Sequence, residues 1–180
     1  MRVLLTGAGG FVGHHTLAHL LKTTDWEIVA TDSFRHFGIS ARLRAVFEEL
    51  PQSRSRVSVI THDLVTPIDS VTAGEIGPID VIINMASASH VDRSIQEPRP
   101  FIENNVAVAL TMLGYARTLP NLKLFIQIGT DEVYGPAPEG VNHPEWSMQI
   151  PSNPYSASKS AQEALAISYW RTFGDRKSVV

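Results

Sequence analysis

Short apolar runs rich in β-branched residues alternate along the chain with longer stretches of helical periodicity. Residues 3–6, 27–31, 57–60, 81–84 and 122–128 read as strands. The run 81–84 is apolar enough to be buried on both faces of a sheet. Residues 11–21 read as a helix, with Val12, Leu17, Leu20 and Leu21 available for one apolar face. Three more helices are expected: residues 40–50, stopped at Pro51; residues 101–119, stopped at Pro120; and residues 156–172. Residues 135–154 are rich in Pro and Gly and read as a loop. Strand and helix in alternation predict an α/β fold, a doubly wound parallel sheet with helices on both faces. Such sheets bind ligands at the carboxyl ends of their strands.

Composition narrows the choice of chemistry. The 180 residues suffice for one domain with a full core, and 43% of them are apolar. A net charge of −3 offers no basic face for a nucleic acid, so none is expected as a partner. The chain has no Cys, which excludes disulfides and cysteine zinc sites. His14 and His15 are the only close histidine pair; neighbours on a helix point apart, so no metal site is expected. No apolar stretch approaches the ~20 residues of a membrane span. The first apolar run meets glycine too early for a signal peptide. The expectation is a soluble cytoplasmic domain with no membrane partner.

Gly7, Gly10 and Gly13 follow the first strand and open the first helix. Glycine there tolerates positive φ, lets a pyrophosphate approach the backbone and lets helix and strand pack closely. The plain alternative is an ordinary strand-to-helix turn. Asp32 ends the second strand, where a carboxylate can accept ribose hydroxyls and repel a 2′-phosphate, favouring NAD over NADP; nearby Arg35 weakens that preference a little. Tyr155 and Lys159 lie four apart and share a helix face. A lysine cation beside a tyrosine lowers the phenol's pKa toward that of a usable base. Thr130 lies just past the fifth strand, where its hydroxyl can support developing charge on a substrate oxygen. Asp131 and Glu132 follow, and adjacent carboxylates can divide into acid and base if their environments differ. A solvated turn is the alternative for that pair.

Taken together these segments resemble a known family. Gly129-Thr130-Asp131-Glu132-Val133-Tyr134-Gly135 is similar to the S-T-D-E-V-Y-G signature of dTDP-glucose 4,6-dehydratases. Residues 84–94, from Asn84 through Ser87, Ala88, Ser89 and His90 to Ser94, resemble that family's N-F-A-A-E-S-H-V-D-R-S segment. Asn153-Pro154-Tyr155-Ser156-Ala157-Ser158-Lys159 resembles its S-P-Y-S-A-S-K, and the spacing G-x-x-G-x-x-G is that of the extended short-chain dehydrogenases/reductases. The chain thus resembles the NAD-dependent epimerase/dehydratase family of that group from residue 1 to about Gly174.

The resemblance implies a Rossmann-like domain and bound NAD. It implies cofactor contacts from Gly7, Gly10, Phe11, Val12, Gly13, Asp32, Asp63, Leu64, Ala86, Ser87, Asn105, Tyr155 and Lys159, and substrate contacts from Ser89, His90 and Thr130. It also implies a chemistry on a nucleotide-sugar substrate. Tyr155, with Lys159, takes the proton of the sugar 4-hydroxyl while C4 is oxidised by NAD; Glu132 takes the C5 proton; Asp131 protonates the departing 6-hydroxyl. Related epimerases eliminate no water and carry other residues at the Asp131-Glu132 position, so the pair argues for a dehydratase over an epimerase or decarboxylase. The full-length enzymes are expected to be homodimers. Three departures stand out: Ala88 replaces a family Glu, Val108-Ala109 replaces Gly-Thr, and Gly129 replaces Ser.

The family continues past the lysine helix into later strands and a substrate domain, which are expected to be missing here. Residues 1–174 therefore read as an incomplete NAD-binding domain. Residues 175–180 match the translation of a common sequencing-library adapter and are expected to be a non-native tail. On this reading the chain itself turns over weakly or not at all, and a non-catalytic NAD-binding fragment is the remaining alternative.

Overall fold

The computed structural model describes residues 1–35, 39–174 and 178–179. Five strands form its sheet in full: β1 (Arg2–Thr6), β2 (Glu27–Asp32), β3 (Val57–Thr61), β4 (Val81–Asn84) and β5 (Leu124–Gln127). A sixth, β6, is the dipeptide Ser178–Val179. The order is β3-β2-β1-β4-β5-β6 and the described ladders are parallel. The sheet expected to stop at β5 is thus extended by two residues, Ser178 against Phe125 and Val179 against Ile126. The rest of the expected tail, residues 175–177 and 180, lies outside the described residues.

Alternation along β1 divides the core. Successive side chains of a strand point to opposite faces. Leu4 joins Ile82, Met112, Leu113 and Phe125 on one side of the sheet. Leu5 joins Leu17, Leu21, Ile28 and Val46 on the other. The first side is covered by α3 (Ser70–Ile76), α5 (Pro98–Thr118) and α6 (Pro154–Phe173), the second by α1 (Phe11–Thr23) and α2 (Ile39–Glu49). Strand order turns at β1, whose neighbours are β2 and β4. A crevice opens at the carboxyl ends of strands where the order reverses in this way.

Several expectations change. Two short helices, α3 and α4 (Val91–Gln96), were not foreseen. At seven and six residues they span too little sequence for a periodicity to show. Val12 was assigned to the buried face of α1 but is 60% exposed, beside Phe11 at 69%. Both sit in the first turn, which overhangs the end of the sheet, and the buried face runs through Gly13, Leu17, Leu20 and Leu21. Helix α5 starts earlier than expected, with Pro98 at its first position, where a missing N–H costs nothing. Helix α6 begins with a reciprocal cap: the Asn153 side chain accepts from the Ser156 N–H, and the Ser156 hydroxyl accepts from the Asn153 N–H. That cap fixes where Tyr155 enters the helix.

Candidate active site

A cleft runs along the carboxyl ends of β1, β2, β4 and β5, lined at one end by the glycine turn and at the other by Gly129, Tyr155 and Lys159. The glycine turn is shaped by two close approaches. Gly7 has φ +66°, and a Cβ there would lie 2.9 Å from the Ala86 Cα. A Cβ on Gly13 would overlap the Gly7 carbonyl oxygen. With Gly7 and Gly10 joined by an N–H to carbonyl bond of 2.9 Å, the first turn of α1 opens onto the cleft. Helix N-termini carry unpaired N–H groups that suit a phosphate. Gly13→Ala is expected to lower stability by about 1–3 kcal/mol, because backbone and not a flexible side chain must give way; urea denaturation at neutral pH measures it.

Asp32 is 9% exposed. Its Oδ2 accepts the Gly9 N–H at 3.0 Å and its Oδ1 the Phe34 N–H at 3.0 Å, so the carboxylate is held rigidly at the cleft wall. An oxygen with one acceptor site filled has a second for a hydroxyl. Arg35 is turned to Asp63 at 3.3 Å and to the Asn104 side-chain carbonyl at 2.9 Å. A 2′-phosphate binder would have to break both contacts. Asp63 lines the cleft beside Leu64, which is itself 5% exposed and part of the core.

The wall after β4 is Met85, Ala86 and Ser87. The N–H groups of Met85 and Ala86 both donate to the Thr6 hydroxyl at 3.0 Å. Asn105 was expected to touch the cofactor; it is fully buried behind the wall instead. Its amide oxygen accepts from the Ala88 N–H at 2.7 Å and its amide nitrogen donates to the Ala88 carbonyl at 3.0 Å and the Ser158 hydroxyl at 2.7 Å. Asn105 therefore ties the cleft wall to α6 without lining the cleft. Ser89 is exposed at the cleft mouth. His90 is exposed as the residue preceding α4 and is not among the lining residues.

Past β5, Thr130 opens a short 3-10 turn, Asp131–Tyr134, and its hydroxyl accepts from the Glu132 N–H at 3.4 Å. The same hydroxyl donates to the Asp131 carboxylate at 3.5 Å. Glu132 is half-buried, with Oε2 accepting from the Asn153 amide at 2.9 Å, while Asp131 is exposed. The two carboxylates thus differ in solvation and partner. Both act on Tyr155: burial pushes its phenol up, the polar Thr130 hydroxyl opposes, and the charges of Glu132 and Asp131 push it up further.

The lysine does not lower it, contrary to the sequence expectation. Lys159 is 3% exposed and donates to the Ile128 carbonyl at 2.5 Å and the Gln162 side-chain carbonyl at 2.7 Å. Burial pulls its ammonium down from 10.5 to about 8, against the pull of Glu163. Glu163 is itself buried, its carboxyl pushed up by that burial and held by Gln149 at 2.5 Å. A Cβ on residue 129 would overlap Glu163 Oε1. The Ser-to-Gly departure at Gly129 thus makes room for a carboxyl group. Gln162 and Glu163 went unnoticed in the sequence, although spacings of three and four from Lys159 put them on its helix face. Among the described residues no three His, Asp or Glu side chains gather in a metal-binding group, and no helix is long and apolar enough to cross a membrane.

Residues 4–179 match the family described as GDP-mannose 4,6 dehydratase. A dTDP-glucose 4,6-dehydratase of Streptomyces niveus is 34% identical over 179 residues, covering 97% of this chain and 51% of its own length. The crystal structure of DesIV, the dTDP-glucose 4,6-dehydratase of Streptomyces venezuelae with NAD and TYD bound, superposes with a TM-score of 0.84 at 33% identity, covering 97% of this chain and 53% of that one. A UDP-glucuronic acid 4-epimerase of Bacillus cereus, in complex with NAD and a fluorinated substrate analogue, gives 0.81 at 28% identity, covering 97% and 54%. The chain spans about half the length of the curated relatives it matches.

Proposed function

Because the chain belongs to the GDP-mannose 4,6 dehydratase family, we propose that its cleft holds NAD and serves the dehydration of a nucleotide-linked hexose, of the dTDP-glucose kind, to a 4-keto-6-deoxy sugar. The observation that carries the reading is one continuous cleft with the glycine turn and Asp32 at one end and Tyr155 and Lys159 at the other, with Thr130, Asp131 and Glu132 acting on the same tyrosine. NAD fits this donor set. The open first turn of α1 and the Gly7 and Gly13 approaches suit a pyrophosphate, the Asp32 carboxylate suits ribose hydroxyls, and Phe11, Val12, Leu64, Ala86 and Ser87 give apolar and small walls. Bound there, NAD would supply a reversible hydride acceptor, taking a hydride from C4 and giving it back at C6 once water has left, so that it ends oxidised as it began.

The chain's own residues do the proton chemistry. Tyr155 removes the proton of the sugar 4-hydroxyl, with the Thr130 hydroxyl favouring its phenolate. The upward push on its phenol makes that transfer dependent on a cation brought close, which is the role of Lys159 once its ammonium turns from Ile128 toward the cleft. Oxidation at C4 makes the C5 proton acidic. Glu132, anchored by Asn153, removes it, and exposed Asp131 donates to the departing 6-hydroxyl. Ser89 at the mouth contacts the sugar side, with His90 exposed next to it at the start of α4.

We place the protein in the cytoplasm, with the NAD and nucleotide-sugar pools. A homodimer is consistent with Leu110, Ile167, Trp170 and Phe173, which α5 and α6 leave exposed. An epimerase is the second reading, favoured by the 0.81 match to the Bacillus cereus enzyme. Incubation with NAD and dTDP-glucose separates the two. The 180-residue chain is expected to bind NAD but form little or no product, since it spans half of its relatives. Joined to the second half of the Streptomyces venezuelae dehydratase, it is expected to form the 4-keto-6-deoxy sugar. A product inverted at C4 and still bearing its 6-hydroxyl would move the assignment to the epimerases.

A further inference from the structure

A line of buried polar side chains crosses the core beneath the cleft. The Thr6 hydroxyl donates to the Asn84 amide oxygen at 2.7 Å, and the Asn84 amide nitrogen to the Gln127 amide oxygen at 2.8 Å. Gln127 Nε2 donates to Gln162 Oε1 at 3.2 Å, and Gln162 Nε2 to the Asn105 backbone carbonyl at 2.8 Å. All five residues are at most 1% exposed. The chain runs in one direction, from β1 through β4 and β5 to α6 and α5, each amide donating onward. Its last side-chain acceptor, Gln162 Oε1, also takes the Lys159 ammonium.

Such a line is costly to bury, and a partly satisfied one would be worse than an apolar core. Among the described residues the buried side-chain polar atoms without a partner are Arg2 Nε and Ser160 Oγ, so no member of the line is orphaned. What needs it is Lys159. An ammonium at 3% exposure has little water, and its two bonded oxygens are the Ile128 carbonyl and Gln162 Oε1. The direction of the line matters too: donation by Gln162 Nε2 to the Asn105 carbonyl polarises the amide, so that Oε1 presents more negative charge to the ammonium, while Gln127 Nε2, donating to the same oxygen, fixes how the amide is turned. At its other end Thr6 holds the Met85 and Ala86 N–H groups, which belong to the cleft wall.

We propose that Gln162, backed by Gln127, is a positioning residue for Lys159: its side-chain carbonyl holds the ammonium at the cleft floor and ties it through the buried amides to the wall at Ala86. The proposal rests on the reading of Lys159 as a cofactor-side residue. The charge that reaches Lys159 is that of Glu163 on the same helix; Tyr155 is the other titratable group of the cleft floor, and Asp131 and Glu132 after β5 act on Tyr155.

The test is an NMR titration of the lysine side chains in the whole 180-residue chain, with Lys159 assigned from Lys159→Met. In the unsubstituted chain the Lys159 ammonium protons should be protected from exchange, and exchange as fast as that of Lys22 overturns the proposal. Gln162→Met removes the acceptor and is expected to lower the Lys159 midpoint by about one pH unit or more. Gln162→Glu keeps an acceptor, adds a charge and is expected to raise it. A merely structural role would move both variants in the same direction or neither, and either result overturns the proposal. Added NAD examines the underlying reading separately. If NAD leaves the Lys159 resonance unmoved, the cofactor role fails while the amide line stands.

Discussion

Replacing Glu132 by glutamine is expected to lower the proposed dehydration by a factor of about 10²–10⁴, the usual worth of a positioned proton acceptor. Glutamine keeps the length of the side chain and the oxygen that Asn153 holds at 2.9 Å. It loses only the capacity to take a proton. Since Glu132 is half-buried and hydrogen-bonded to the residue that caps α6, Tyr155 keeps its place. NAD affinity is expected to stay within a factor of about two, because the cleft lining does not include residue 132. The measurement is made in the chain joined to the second half of the Streptomyces venezuelae dehydratase, in deuterated solvent. Exchange at C5 should vanish with the loss of product. Exchange at the original rate would move the base elsewhere. Asp131→Asn should behave differently, retaining C5 exchange while elimination slows, because its exposed carboxyl is the group proposed to protonate the leaving oxygen.

The parts of this site that could be read from the residues are those in which one residue does one local job. The Gly7 turn needs a backbone without a Cβ, and composition betrays that. The Tyr155–Lys159 spacing, and the short run Thr130, Asp131 and Glu132, are local in the same sense. Four pieces of information were not local. Val12 lies on the apolar stripe of α1 by periodicity, yet the helix overhangs the sheet, and only the tertiary arrangement decides which turn is covered. Asn105 carries the family position, but whether its amide faces the cleft or Ala88 depends on the loop after β4. The Thr6–Asn84–Gln127–Gln162 line joins four elements separated by tens of residues; each of its members alone looks like a surface residue misplaced in an apolar run. Gly129 seemed a lost hydroxyl, and in space it is the opening that admits Glu163.

Lys159→Met is expected to stabilise the chain at neutral pH while removing the cation that the proposed cleft chemistry requires. The ammonium's midpoint falls from 10.5 to about 8 on folding, chiefly through burial, a difference of about 3 kcal/mol against the charged form. The unfolded chain binds the lysine proton more tightly. Stability therefore rises with pH between about 8 and 10.5, and the advantage present above 10.5 is lost as pH falls through about 8. Methionine carries no such penalty. It also orphans no carbonyl: Ile128 and Gln162 each keep a bond from Gln127, at 3.3 and 3.2 Å. Glu163 loses a compensating charge, which reduces the gain; its own burial, which pushes its carboxyl up, lets it take a proton more readily. A net gain of about 1–2 kcal/mol at pH 7 follows, within the range seen when buried charges are replaced by apolar groups of similar volume. Urea denaturation at pH 7 and above pH 10 checks it: the advantage of the methionine variant should be clear at the first and shrink at the second. An equal loss of stability at both would mean that the Lys159 bonds to Ile128 and Gln162 outweigh the burial of its charge.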